Sequence, residues 1–216
     1  MSFFKKIIYL IKKPNFIFII SDSFLSSDII LRFFKENNKV RKIIDNSFPL
    51  FIHKNEKLIL NINFNDFKKN RGYKFLLKSD FSPVVLLNYY GKDLFDEEYK
   101  EILEKIFNIS EVLKKEGILI LNYDEKLIKK IKSKTNAFIL TCGENEESDF
   151  RITDINKENN GINFKINYKG DIIPFWIKGI ITEKDLYDIL LSIAFLTIKK
   201  VNLVEASQFL KEIVFK

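Results

Sequence analysis

The sequence predicts an α/β fold: a mostly parallel sheet with helices on both faces, plus a small antiparallel β flap late in the chain. Two observations predict it. First, the apolar runs FIFII at 16–20, VVLLN at 84–88, ILILN at 118–122 and AFILTCG at 137–143 alternate with amphipathic stretches. Strands of a parallel sheet are buried on both faces and read as unbroken apolar runs, and the helices between them carry the crossovers. Second, the pattern changes at 150. FRITDI, GINFKINYKG and DIIPFWIKG are short alternating segments with turn signals at Asn159-Asn160-Gly161 and Lys169-Gly170-Asp171. They read as an antiparallel hairpin or three-stranded flap over 150–178.

The elements follow in order. Residues 1–13 form an amphipathic helical pattern in which Phe3, Phe4, Ile7, Ile8, Leu10 and Ile11 share a broad face, and Pro14 ends it. That face fits packing on its own domain, and it also fits an interfacial helix on an anionic membrane. FIFII is the first buried strand. SDSFLSSD and IILRFFKENN supply a polar turn and a helix, the opening βα unit, with Asp22, Ser23, Ser26 and Ser27 as candidate caps. LILNINF at 58–64 is a further strand, and 70–79 has a helical pattern. The long helix over 95–116 is broken by Gly117, and DEKLIKKIKSK at 124–134 is a short helix. Two more helices, about 183–199 and 202–213, close the chain. No repeat or low-complexity linker divides residues 1–216, which read as a single domain.

Composition limits the chemistry. The 216 residues include one cysteine, Cys142, so an intrachain disulfide is excluded. Cys142 follows an apolar run and reads as a small packed residue. The one histidine, His53, has no serine or cysteine on a sharp turn nearby to make a triad, and no Cys/His spacing suits a metal. With no signal-peptide cleavage site in view, the expectation is a cytoplasmic protein, with membrane association through residues 1–13 as the variant reading. The net charge of +7 raises the prospect of an anionic partner. The lysines are scattered and often beside acidic residues, so a solvated basic surface explains them. Outside the N-terminus no basic stretch is interleaved with aromatics, which argues against nucleic acid. Trp176 reads as a packing residue of its strand.

Several short segments resemble the central, nucleotide-binding domain of the Mur ligases, a P-loop-NTPase-like fold. The strongest lies in 117–155: Gly117, then Asn122-Tyr123-Asp124-Glu125 where the family has a strand ending in Asn-x-Asp-Asp. Cys142-Gly143 stands for its Phe-Gly, and Ser148-Asp149-Phe150-Arg151 for a segment ending in Ala-Asp-Val-Arg. LYDILLSIAFLTIKKVNLVEASQFL is similar to the helix-turn-helix that ends the domain, and VRKIIDNSFPL at 40–50 to the segment after the phosphate-loop helix. Within the family the likeness is to the type that adds D-alanyl-D-alanine to the UDP-linked peptidoglycan precursor. The resemblance implies ATP and Mg²⁺ as cofactors, and flanking N- and C-terminal domains that are not expected within residues 1–216.

The same resemblance exposes departures. The family's phosphate loop, Thr-Gly-x-x-Gly-Lys-Thr, aligns with Ser21, Asp22, Ser23, Phe24, Leu25, Ser26 and Ser27. Both glycines and the lysine are replaced, and of its metal-binding groups only the hydroxyl of Ser27 persists. A backbone cradle for phosphates needs bare glycines, and the lysine neutralises their charge. Asn61 stands for a Mg²⁺-binding Glu and Asp93 lies nearest a metal-linked His. Ile106 stands for the carbamoylated lysine, with Lys105 about 100° away around the helix. Ser27, Asn122 and Asp124 are then the candidate cofactor-binding residues of a vestigial nucleotide site. The alternative for Asn122 and Asp124 is a strand-ending turn and helix cap. The expectation is a non-catalytic Mur-ligase-like binding or scaffold module with no catalytic residues, no metal and no required cofactor. ATP and Mg²⁺ binding would be weak. The expected partner is a second copy or another Mur-ligase-like chain. The competing readings are an ATP-dependent ligase or ATPase acting with a partner chain, and a basic membrane-surface or nucleic-acid binder.

Overall fold

The computed structural model describes residues 11, 15–21, 23–35, 40–43, 56–63, 66, 83–88, 97–124, 131 and 133–215. Asp22, His53, Asp93, the N-terminal pattern apart from Ile11, the 70–79 pattern and most of the 124–134 pattern lie outside them. So does the side chain of Lys105.

The described strands are β1 (Asn15–Ile20), β2 (Val40–Ile43), β3 (Lys57–Ile62), β4 (Val84–Leu87), β5 (Ile118–Asn122), β6 (Phe138–Gly143), β7 (Phe150–Glu158), β8 (Gly161–Tyr168), β9 (Asp171–Gly179) and β10 (Val214–Phe215). The described helices are α1 (Leu25–Phe34), α2 (Glu97–Val112), α3 (Glu183–Ile198) and α4 (Leu203–Lys211). All ten strands form one sheet in the order β10-β9-β8-β7-β6-β5-β4-β1-β3-β2. The expected runs at 16–20, 84–88 and 118–122 are adjacent: β1 pairs with β4 and β4 with β5, both parallel.

The antiparallel region differs in one respect from a free-standing flap. β7 pairs with β6 in parallel through Cys142↔Phe150 and Gly143↔Arg151 before β8 turns back against it. The alternating segments therefore extend the main sheet, and β8 alone runs against its neighbours. Periodicity identifies such strands but not the sheet they join. Two short strands carry too few residues for a periodic signal: β2, within the segment read only by resemblance, and β10, which pairs in parallel with β9.

Side chains alternate across the sheet and split the core in two. Ile17, Ile19, Ile59, Val84, Leu86, Ile120, Leu140 and Cys142 face α1, α3 and α4. Phe16, Phe18, Leu58, Leu60, Val85, Leu87, Leu119 and Leu121 face α2, through Ile106 and Ile109. Helices thus cover both faces, as the unbroken apolar runs require. The helix α3 is buried from Leu186 to Leu196 and begins in a capping box. There Thr182 accepts from the Asp185 backbone N–H, and the Asp185 carboxylate accepts from the Thr182 N–H. This fixes where Tyr187 and Asp188 meet the sheet.

Candidate functional site

Ser21, Asn61 and Asn88 lie at the carboxyl ends of β1, β3 and β4, on the face that α1 and α3 cover. β1 is flanked there by β3 and β4, and the chain reverses its direction of travel across the sheet at this point. In open α/β sheets ligands bind at such a switch point. The turn from β1 into α1 carries the expected loop.

Ser21 and Ser26 are committed inward. Ser21 Oγ and Ser26 Oγ donate to Asp188 Oδ1 at 3.2 and 3.1 Å, and Asn88 Nδ2 donates to the same oxygen at 2.9 Å. Ser26 Oγ also lies 2.9 Å from the Asp188 carbonyl, which accepts from Ser192 Oγ at 2.7 Å as well. Ser26, which the resemblance sets against the family's lysine, is thus fully buried against α3.

The loop also satisfies its own backbone. Ser21 Oγ accepts from the Ser23 N–H and Ser23 Oγ from the Leu25 N–H, both at 3.1 Å. Leu25 is the first residue of α1, and its φ is not positive. Ser27 Oγ donates to the Phe24 carbonyl at 2.6 Å and is buried. Asn61 Nδ2 donates to the Ser23 carbonyl at 3.0 Å. Backbone N–H groups that would cradle phosphates in a glycine loop are here met by serine hydroxyls. Ile106 is buried in the second core cluster, a packing position on α2.

Asn122 and Asp124 form a second cluster, two strands away from β1. Asn122 is buried at the end of β5, and its Oδ1 accepts from the Asp124 N–H at 3.0 Å. The Asp124 carboxylate accepts from the Glu144 N–H at 2.7 Å, the Asn145 N–H at 2.9 Å and the Tyr187 hydroxyl at 2.7 Å. Burial and this carboxylate push the Tyr187 phenol far above its usual range. Ser27 is not brought together with Asn122 and Asp124. The consecutive residues Tyr187 and Asp188 instead clamp one cluster each.

Sequence reasoning missed Asp188, Asn88 and Tyr187. A signal for the first existed: Asp188 is the sole charged residue of 186–198, LYDILLSIAFLTI, and an acid on an apolar helix face calls for polar partners. Burial raises the Asp188 carboxyl above its ordinary range, opposed by hydrogen bonds from Asn88, Ser23, Ser26 and Ser21. Folded protein therefore holds this proton more firmly than unfolded protein. The stability it brings is present in acid and is lost as pH rises through the folded value. In buffers free of alkali ions, Asp188→Asn is expected to gain in Tm relative to the parent chain as pH rises above the ordinary carboxylate range. A gain that shrinks as pH rises would show that the carboxyl is not raised. Burial also pushes the Cys142 thiol well up, in keeping with a packed residue.

Among the described residues no group of three or more His, Cys, Asp or Glu side chains is placed to hold a metal. No described helix is long and apolar enough to cross a membrane.

No curated protein sequence matches the chain. Solved structures do. A MurF ligase from Thermotoga maritima in complex with ADP superimposes with a TM-score of 0.71 at 15% identity, over 94% of this chain and 50% of that one. The UDP-N-acetylmuramoylalanyl-D-glutamyl-2,6-diaminopimelate–D-alanyl-D-alanyl ligase from Acinetobacter baumannii gives 0.72 at 13%, over 95% and 48%. The UDP-N-acetylmuramate:L-alanyl-gamma-D-glutamyl-meso-diaminopimelate ligase from Neisseria meningitides gives 0.66 at 10%, over 100% and 71%. The chain spans about half the length of the first two. At these identities the likeness is one of fold. The Mur ligase middle domain model matches residues 84–196, more than half of the chain. The chain therefore belongs to the Mur ligase middle domain family.

Proposed function

We propose that this chain is a non-catalytic member of that family, a binding or scaffold module related to the peptidoglycan precursor ligases. One observation carries the reading. The hydroxyls at the first and lysine positions of the phosphate loop, Ser21 and Ser26, are spent on the buried Asp188. Phosphoryl transfer depends on positioned positive charge around the phosphates. Here a serine replaces the lysine and a carboxylate stands directly behind it. Ile106, packed in the core, offers no amine for carbamoylation. The candidate residues Ser27, Asn122 and Asp124 are part of the reading only as remnants, the first two held by local hydrogen bonds and the third by Glu144, Asn145 and Tyr187.

The partner we propose is a second copy of the chain. The exposed side chains of Phe24, Ile180 and Val214 support it, since apolar groups of this size gain from burial. A complex with another Mur-ligase-like chain is the variant that co-purification distinguishes. The opposing reading, a nucleotide-dependent ligase completed by a partner chain, draws support from the ADP bound to the Thermotoga maritima relative.

Incubating the purified chain with ATP and Mg²⁺, with and without UDP-linked muramoyl peptide, tests the reading. No phosphate release above the blank is expected. Magnesium-dependent turnover that survives repurification would overturn it.

A further inference from the structure

We propose that a monovalent alkali cation sits beside Asp188, held by Asp188 Oδ2 and Asn88 Oδ1 at the carboxyl ends of β1 and β4. The inference rests on the reading of the loop as one that no longer takes phosphate.

Asp188 is fully buried on α3, and among the described residues no lysine, arginine or histidine side chain pairs with it. Its two oxygens are unequally served. Oδ1 receives Asn88 Nδ2, Ser26 Oγ and Ser21 Oγ, Ser21 reaches Oδ2 only at 3.5 Å, and a hydrogen bond from Ser23 also reaches the carboxyl. Each serine has one proton. Ser26 divides its own between Oδ1 and the Asp188 carbonyl, and Ser21 between the two carboxylate oxygens. These shared protons oppose the cost of burying the ionised carboxylate without cancelling it, since burial still raises its proton affinity, so the ionised form calls for a counter-charge.

Asn88 supplies an independent observation. The residue is 2% exposed, and its Oδ1 has no hydrogen-bond partner. Its orientation is fixed, because Nδ2 is the group that meets Asp188 Oδ1 and, at 3.3 Å, the Lys184 carbonyl. Turning the amide would set oxygen against oxygen. A buried amide carbonyl left bare, on a residue whose Nδ2 meets a buried carboxylate, calls for a positively charged or donating group.

The donor set narrows the class. It is all oxygen, hard, and carries one negative charge, contributed by Asp188. Mg²⁺ demands near-octahedral geometry and is usually bound through carboxylates with phosphates and several waters. One carboxylate with one amide carbonyl and serine hydroxyls balances a single positive charge. A loop whose family counterparts meet an anion would then carry the opposite polarity.

The test is a thermal melt of the full chain in potassium, sodium or tetramethylammonium chloride at equal ionic strength, without nucleotide. A saturable rise in Tm of about 5 °C is expected for one alkali ion at millimolar affinity over tetramethylammonium, which is too large for the site. The rise should be absent from Asp188→Asn. If that variant does not fold, a thallium-soaked crystal of the parent chain decides, by an anomalous peak within bonding distance of Asp188 and Asn88. Equal melting in all three salts, or an ordered water with no anomalous signal, would overturn the proposal. ADP binding by the parent chain would overturn the non-catalytic reading without touching this result, so the two failures are distinguishable.

Discussion

A chain carrying Asp22→Gly, Leu25→Gly, Ser26→Lys and Asp188→Asn together is expected to bind ADP with Mg²⁺ at least tenfold more tightly than the same chain with Asp188 retained. The first three changes restore the family's loop chemistry: two bare backbone positions and an ammonium. They are not sufficient, because Ser26 Oγ lies 3.1 Å from Asp188 Oδ1. A lysine there meets a carboxylate before it meets a phosphate. Two opposite charges about 4 Å apart attract by about 4 kcal/mol at an effective dielectric near 20. That attraction holds the new ammonium inward, and at tenfold per ~1.4 kcal/mol even a third of it explains the expected difference. Calorimetric titration of the parent chain, the triple variant and the quadruple variant, each checked for fold by circular dichroism, reads the order directly. Equal affinity of the triple and quadruple variants would show that Asp188 does not compete for the lysine. No binding by any folded variant would show that the site has lost more than its charge.

This ordering marks how far the sequence carries the argument. The polar turn SDSFLSS between the strand FIFII and its helix is visible in the sequence. The strands at the sheet centre announce themselves because burial on both faces leaves no polar position in VVLLN or ILILN before the terminal Asn. The family model reaches back only to residue 84, so the reading of 21–27 as a changed phosphate loop rests on the resemblance and on the segment's place after the first strand. The contacts that close it are separated by well over a hundred residues in sequence, as in Ser21 with Asp188. No local pattern records such a contact. What the sequence does show is the lone acid in LYDILLSIAFLTI. Read as an unexplained charge on a buried face, it asks for partners without naming them. Asn122 and Asp124 were legible as a pair, and both the functional and the structural reading of them were open. Asn122 takes the local turn bond from the Asp124 N–H, whereas the Asp124 carboxylate meets Glu144 and Asn145, which the parallel pairing of β5 with β6 brings within reach, and Tyr187, which α3 supplies.

That second cluster makes a single methyl group costly. A Cβ built at Gly143 would stand 2.3 Å from Asp124 Oδ2 and 2.7 Å from its carboxyl carbon. The carboxylate cannot swing aside freely, since the Glu144 and Asn145 N–H groups and the Tyr187 hydroxyl all hold it. Gly143→Ala therefore forces either the β6 end or the carboxylate to move, and charge-assisted bonds are lost with it. Each such bond contributes about 1.5–3 kcal/mol where it is shielded from solvent, and Asp124 is exposed at its outer side, so the lower value applies. Loss of two of them destabilises the chain by about 3 kcal/mol, which in a domain of this size lowers Tm by about 6–12 °C. Asp124→Ala removes the same bonds and the obstacle at once. The double variant should then be no less stable than Asp124→Ala alone, a strong departure from additivity for two residues in contact. Tyr187→Phe, which deletes one donor and leaves the space unchanged, is expected to lower stability by about 1 kcal/mol. Urea unfolding of the four variants measures all three quantities. Additive effects of Gly143→Ala and Asp124→Ala would show that the glycine is needed for a reason other than the approach of this carboxylate.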